Sequence, residues 1–265
     1  MRRNPVVSLL TDFGTRDAYV GAMKGVILRI CPSATLIDIS HKVSRHNILQ
    51  GAFILSQAAP YFPEGSIHLA VVDPSVGTAR RRIVVQGSRC FYVGPDNGVL
   101  SLAVKREGVV KAVEIRNEEF MLPRSSRTFE GRDVFAPVAA HLAKKSDIDD
   151  FGQEIRDLVN LSIAEPERRD GEFLGEVIHV DGFGNVTTNI SREMLGQVAE
   201  GTYVGVTVGK VSKAIPFCMT YGEVDAKSPL LTLGSSGFLE VAVNQGSAEK
   251  LFKAKVGDRV KITGV

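Results

Sequence analysis

At 265 residues the chain is long enough for one or two domains with a sizeable core, and 44% hydrophobic content is ordinary for a globular protein. The 32 basic and 30 acidic residues leave a formal charge of +2, too little for a nucleic-acid surface. Three dispersed cysteines without a C-x-x-C pair argue against a disulfide framework, and no apolar run approaches the roughly 20 residues of a membrane span, so a cytoplasmic protein is expected.

Residues 6–10 read as a strand that ends in Thr11-Asp12-Phe13-Gly14-Thr15-Arg16-Asp17. A helix is expected over 18–30, where Val20, Met23, Ile27 and Ile30 keep helical spacing and Cys31-Pro32 stops it. Residues 35–39 read as a second strand, 47–61 as a second helix, and the apolar run at 66–72 as a third strand. That alternation implies a parallel sheet with right-handed crossovers. Further on, 83–86 and 90–93 suggest a hairpin, Gly94-Pro95-Asp96-Asn97-Gly98 a turn, and 112–115 another strand. Residues 125–131 lead into a helix running to about 145, with Asp133 as N-cap and Pro137 in its first turn.

Residues 156–171 mix charges around Pro166 without a sustained period and read as a connection between domains. The expected organisation is a domain over 1–158, a linker over 159–171 and a second domain over 172–265. In the last, short alternating segments recur at 175–180, 186–190, 203–208, 214–217, 230–233, 238–243 and 256–262, the pattern of a small β-barrel. The fold class is therefore α/β, with a mainly parallel N-terminal sheet and a C-terminal all-β, barrel-like domain.

The third strand delivers Asp73 at its C-terminal end, Pro74 and Gly77 turn the chain, and Arg80-Arg81-Arg82 follow. Ligands of open α/β sheets sit outside the carboxyl ends of the strands, so Asp73 and Arg80 could face one small-molecule site. The alternative is a turn-stabilising Asp beside a solvated arginine edge. Alternate side chains of an extended chain point oppositely, so only a subset of the three arginines can aim inward. Asp12 also ends a strand, where one carboxylate can accept from both hydroxyls of a ribose diol; the alternative is a helix cap. Glu130 is either a first-turn partner of a helix dipole or, if it lies near Asp73, part of the same site. Asp181-Gly182-Phe183-Gly184-Asn185 suits a hairpin turn, and the functional alternative is a purine clamp with Phe183 on the ring face and Asn185 on the base edge. The five histidines show no H-x-x-x-H or H-E-x-x-H spacing, so no metal site is expected.

Several runs act together here: Leu10-Thr11-Asp12-Phe13-Gly14, Asp38-Ile39-Ser40-His41, Asp73-Pro74-Ser75-Val76-Gly77-Thr78-Ala79-Arg80-Arg81 and Pro95-Asp96-Asn97-Gly98. Thr128-Phe129-Glu130-Gly131-Arg132-Asp133, Phe183-Gly184-Asn185-Val186 and Gly237-Phe238-Leu239-Glu240-Val241-Ala242-Val243-Asn244 complete the set. In this order, over nearly the whole chain, they resemble the S-adenosylmethionine hydroxide adenosyltransferases, the water-using relatives of fluorinase and chlorinase. The resemblance implies attack of water or hydroxide on the 5′ carbon of S-adenosylmethionine, giving adenosine and methionine, with no cofactor. It also implies a homotrimer with sites between neighbouring subunits, while the small net charge and the lack of a long apolar run lead us to expect no nucleic-acid or membrane partner.

Carried over by position, Asp12 resembles the ribose-diol ligand. Asp17, Asp181 and Ser235 resemble contacts to the methionine end, and Phe183, Asn185 and Tyr221 the adenine pocket. Asp73 and Arg80 match two members of an Asp–Arg–His set that handles water, and the halogenating enzymes carry Tyr at the first of these positions. The third member differs: Glu130 stands where the hydrolases have His, and it could replace that His as a base but not as a cation. Ser236 also replaces an Arg of fluorinase, and His46 a Trp. The alternatives left by these departures are a halogenase that forms a 5′-halo-adenosine and a non-catalytic protein that binds S-adenosylmethionine or adenosine.

Overall fold

The computed structural model describes residues 4–123, 126–196 and 198–264. The chain divides into two compact units, Met1–Leu161 and Ser162–Val265.

The first unit opens with β1 (Val6–Thr11), α1 (Tyr19–Ile30), β2 (Thr35–Ser40), α2 (Ile48–Ala58) and β3 (Ile67–Val71). It continues through β4 (Arg82–Gly87), β5 (Phe91–Pro95), α3 (Ser101–Glu107), β6 (Val109–Ile115), α4 (Ala136–Ala143) and β7 (Gly152–Glu154). The strands form one sheet in the order β2-β1-β3-β5-β4-β6-β7. Pairings among β2, β1, β3 and β5 are parallel, whereas β4, β6 and β7 join antiparallel. The sheet is thus mixed: a short turn between β4 and β5 permits only an antiparallel hairpin, while the helical crossovers earlier in the chain permit parallel pairing.

Alternation along the strands explains the layers. Val7, Leu9, Leu69 and Val71 face one core with Met23 and Ile27 of α1 and Val138 and Ala139 of α4. Leu10, Ala70 and Val72 face the other, with Leu55 of α2 and Ala103 and Val104 of α3. Burial on both faces is why these strands read as continuous apolar runs.

Several local expectations are corrected. Asn47 lies just outside α2 and caps it by accepting the Gln50 N–H at 2.9 Å, and a 3-10 turn, Ala59–Tyr61, follows the helix. Asp133 is not an N-cap: Gly131–Phe135 form a π turn ahead of α4, and buried Asp133 pairs with Arg132 at 2.6 Å. Pro137 sits in the first turn of α4, which ends at Ala143. Ser125, in the approach to that helix, lies outside the described residues. Helix α3 had no counterpart in the sequence reading, because its seven residues are too few to display a period.

The second unit contains β8 (Glu167–Arg169), β9 (Glu172–Val180), β10 (Val186–Ser191), α5 (Arg192–Leu195), β11 (Tyr203–Val208) and β12 (Val211–Pro216). Then come β13 (Pro229–Leu233), β14 (Phe238–Val243), α6 (Ala248–Phe252) and β15 (Arg259–Thr263). Its antiparallel sheet runs β12-β11-β15-β9-β10-β14-β13, with β8 added on β9. A bridge between Phe217 and Leu231, with the Cys218 N–H donating to the Leu231 carbonyl at 2.8 Å, brings the two ends of this path together. The sheet therefore nearly closes on an interior of Phe173, Val177, Val206, Leu231, Val241 and Ile262. Strand β8 occupies part of the stretch read as a linker.

Candidate functional site

Strand β1 leads outward to β2, and the chain then returns to pair β3 on the other side of β1. The order reverses between β1 and β3, the place beyond the strands' carboxyl ends where ligands of open α/β sheets bind. Thr11 pairs with Val71 in parallel register, so Asp12 and Asp73 leave the sheet at the same edge.

Asp12 is held locally: its Oδ2 accepts the His46 N–H at 2.8 Å, with His46 at φ 64°. Beneath it, Thr11 Oγ1 lies 2.9 Å from His41 Nδ1, and His41 Nε2 lies 3.0 Å from Asp38 Oδ1. Asp38 Oδ2 in turn accepts from Lys24 at 2.6 Å, while the Gly14 N–H donates to the His41 carbonyl at 2.8 Å. This chain of contacts gives the Asp38-Ile39-Ser40-His41 motif a role the sequence did not reveal: it pins the loop that carries Asp12. Asp17 is exposed on the turn before α1.

Asp73, Arg80 and Glu130 come together. Arg80 Nε donates to Asp73 Oδ1 at 3.1 Å and Oδ2 at 2.9 Å, and Nη2 also donates to Oδ2. The same Nη2 donates to Glu130 Oε2 at 2.5 Å. The Arg80, Asp73 and Glu130 side chains are only 9%, 4% and 7% exposed, so water screens these charges little. Ser75 donates to Asp73 Oδ1 at 3.2 Å, and the guanidinium of Arg80 lies 5.4 Å from the Phe135 ring centre. Glu130 therefore lies in one cluster with Asp73 and Arg80, besides standing ahead of a helix.

Strand alternation also resolves the arginine run. Arg80 and Arg82 both reach Glu130, the latter with Nη1 3.6 Å from Oε1. Arg81 points elsewhere, donating to Asp96 Oδ2 at 2.8 Å and Asp157 Oδ1 at 2.7 Å. Asn97 donates from Nδ2 to the Val72 carbonyl at 2.8 Å, fixing the backbone just before Asp73. The loop needs glycine at position 77, where φ is 82° and a Cβ would lie 3.3 Å from the Arg127 carbonyl oxygen.

An aromatic group went unnoticed in the sequence. Phe13, Tyr19 and Phe129 pack with centroids 5.1–5.9 Å apart, joining the neighbour of Asp12 to the neighbour of Glu130. A Cβ at Gly131 would press on Met23 at 3.2 Å and on the Phe129 and Phe13 rings at 3.3 and 3.4 Å. The available signal was a phenylalanine close before glycine in both motifs.

In the second unit, Asp181 organises the β9–β10 turn. Its Oδ1 accepts from the Phe183 and Asn185 N–H groups at 2.8 and 2.9 Å, and its Oδ2 accepts from Asn185 Nδ2 at 3.0 Å. The hairpin reading is thus correct, and it leaves the Phe183 ring 80% exposed, available for stacking. Tyr221 donates to Glu240 Oε1 at 2.7 Å. Burial pushes the Glu240 carboxyl above its ordinary value, the Tyr221 bond opposes this, and the charge of Asp181 adds to it. Burial, then the bond to Glu240, push the Tyr221 phenol up as well. Exposed Ser235 follows Gly234, whose Cβ would lie 3.0 Å from Glu240 Oε2. Glu240, a residue the sequence reading had not assigned, thus links Tyr221 by a hydrogen bond to the charge of Asp181, the residue that holds the turn with Phe183 and Asn185.

Residues 7–152 match the SAM hydroxide adenosyltransferase N-terminal domain, and residues 175–261 match the C-terminal domain. The chain belongs to the SAM hydroxide adenosyltransferase family. Within reach of that family, a protein of Salinispora arenicola named (R)-S-adenosyl-L-methionine hydrolase is 38% identical, covering 99% of both chains. A fluorinase of Actinoplanes is more distant, 26% identical over 98% of both. The crystal structure of an uncharacterized conserved protein from Thermotoga maritima matches with a TM-score of 0.93 at 38% identity, covering 97% of this chain and 100% of that one. Among the described residues, no helix is long and apolar enough to cross a membrane.

Proposed function

We propose that this family member hydrolyses S-adenosylmethionine to adenosine and methionine, with water or hydroxide attacking the 5′ carbon. The observation that carries the reading is the buried Asp73–Arg80–Glu130 cluster, at the sheet edge from which Asp12 also leaves. Full-length relatives named (R)-S-adenosyl-L-methionine hydrolase at 38% identity, against 26% for a fluorinase, support it. The water oxygen forms a bond to C5′ as the C5′–S bond breaks. The bonding pair passes to sulfur, so methionine leaves as a neutral thioether, and the water proton goes to a carboxylate. Because the leaving group is neutral, expelling it requires neither a general acid nor a metal, and no cofactor enters this scheme. What the protein supplies is an oriented, partly deprotonated water.

In this scheme Arg80 favours developing hydroxide by charge, while Asp73 or Glu130 orients the water and accepts its proton. Asp12 binds the ribose diol; Asp17, Asp181 and Ser235 bind the methionine end; Phe183, Asn185 and Tyr221 hold adenine. We further propose a cytoplasmic homotrimer with sites between neighbouring subunits and no nucleic-acid partner. The test is incubation of the purified protein with each sulfonium epimer of S-adenosylmethionine, followed by chromatography, with and without chloride or fluoride. Adenosine and methionine in equal amounts, unaffected by halide, are expected. A 5′-halogenated adenosine would assign a halogenase, and tight binding without any product would assign a binding protein.

A further inference from the structure

The acid at position 130 touches two arginines of one strand edge, and only one of them belongs to the Asp73 pair. Arg80 and Arg82 alternate onto the same side of the chain as it enters β4, with Arg81 turned away to Asp96 and Asp157. Arg80 is already committed to Asp73 through Nε and Nη2, so a single guanidinium faces two buried carboxylates. One cation between two anions leaves an excess negative charge in a region where water screens poorly. Arg82, with Nη1 3.6 Å from Glu130 Oε1 and its side chain 26% exposed, supplies the fourth charge from the solvent side. The group then holds two acids and two bases. Glu130 has one oxygen hydrogen-bonded to Arg80 and the other facing Arg82 at ion-pair distance, so the two cations attract its carboxylate from different directions.

We propose that Arg82 is a positioning residue for the hydrolytic reaction: it orients the Glu130 carboxylate against Arg80 and neutralises the additional acid. It acts through Glu130 and is assigned no contact with substrate. The inference rests on the hydrolase reading, and it follows that the requirement for Arg82 depends on what occupies position 130. With a carboxylate there, the second guanidinium is needed. With an imidazole there, no carboxylate remains to be held, and a nearby cation is of no benefit.

The test measures kcat and KM for adenosine release by wild type, Arg82→Gln and Arg82→Lys, and repeats Arg82→Gln in a Glu130→His background. Arg82→Gln is expected to lower kcat about tenfold with KM changed less than about twofold, because the orientation of the base matters in the transition state and not in substrate binding. Arg82→Lys keeps the charge and is expected to recover at least half of the lost rate. In the Glu130→His background the Arg82→Gln effect is expected to shrink below about twofold, which a general loss of folding would not produce. An unchanged kcat in Arg82→Gln, a rise in KM alone, or an equal loss in both backgrounds would overturn the inference while leaving the hydrolase reading intact. If Glu130→His is itself inactive, the kcat–KM split and the lysine rescue decide. No adenosine from wild type would overturn the hydrolase reading, and the inference with it.

Discussion

Replacing Arg80 with Met tests whether the Asp73–Arg80–Glu130 cluster is a buried charge network or a surface ion pair. The substitution keeps much of the aliphatic packing against Phe135 but removes the cation that donates to both acids. Exposed ion pairs contribute about 0–1 kcal/mol, whereas removing one partner of a buried pair costs about 3–5 kcal/mol, because the remaining charge stays desolvated. With side chains only 9%, 4% and 7% exposed, the second case applies, so a loss of about 3–5 kcal/mol is expected at pH 7. For a protein of this size that corresponds to a drop of about 6–20 °C in Tm. Urea unfolding followed by far-UV circular dichroism is the suitable assay: urea adds no ions to screen the cluster, and the chain has no tryptophan for fluorescence. Adding Asp73→Asn and Glu130→Gln to Arg80→Met removes the stranded charges and is expected to restore at least half of the loss. A loss below about 1 kcal/mol in the single variant, or no recovery in the triple variant, would refute the buried-network account.

Two further expectations follow from the same geometry. Asp12→Ala should weaken adenosine binding about 10–100-fold by calorimetry, the usual worth of hydrogen bonds to a charged group, while Asp73→Asn should chiefly lower single-turnover rate; equal losses of affinity would contradict the division of roles. His68 is fully buried against Tyr92 and Phe62, with Nδ1 2.7 Å from Ser8 Oγ, and burial lowers its pKa from 6.5 to about 4. The unfolded chain therefore takes up a proton near pH 6.5 that the folded chain refuses until about pH 4, so this stability is complete above pH 6.5 and lost as pH falls through that window. The shift from 6.5 to about 4 is worth about 3 kcal/mol, and His68→Asn should flatten the decline of the urea midpoint between these pH values; an unchanged slope would contradict it.

What the sequence determined by itself was local. Period and breakers placed β1, α1, β2, α2 and β3 to within a few residues, since long apolar runs and Pro-Gly stops are properties of neighbouring residues. That Asp12 and Asp73 end strands was visible for the same reason. The seven residues of α3 and the π turn before α4 were not, being too short for a period or set by packing around Gly131 and Asp133. The resemblance named Glu130 as the departure, but Arg80, which it meets, lies 50 residues away, and no local signal reports such a contact. The resemblance singled out Arg80, but where Arg81 and Arg82 point waited on the sheet, because alternation says only that neighbours point apart. Tertiary structure decided which side holds the acids: Asp96, just after β5, and Asp157, after β7, meet Arg81, and Asp73 and Glu130 are left to the arginines on either side.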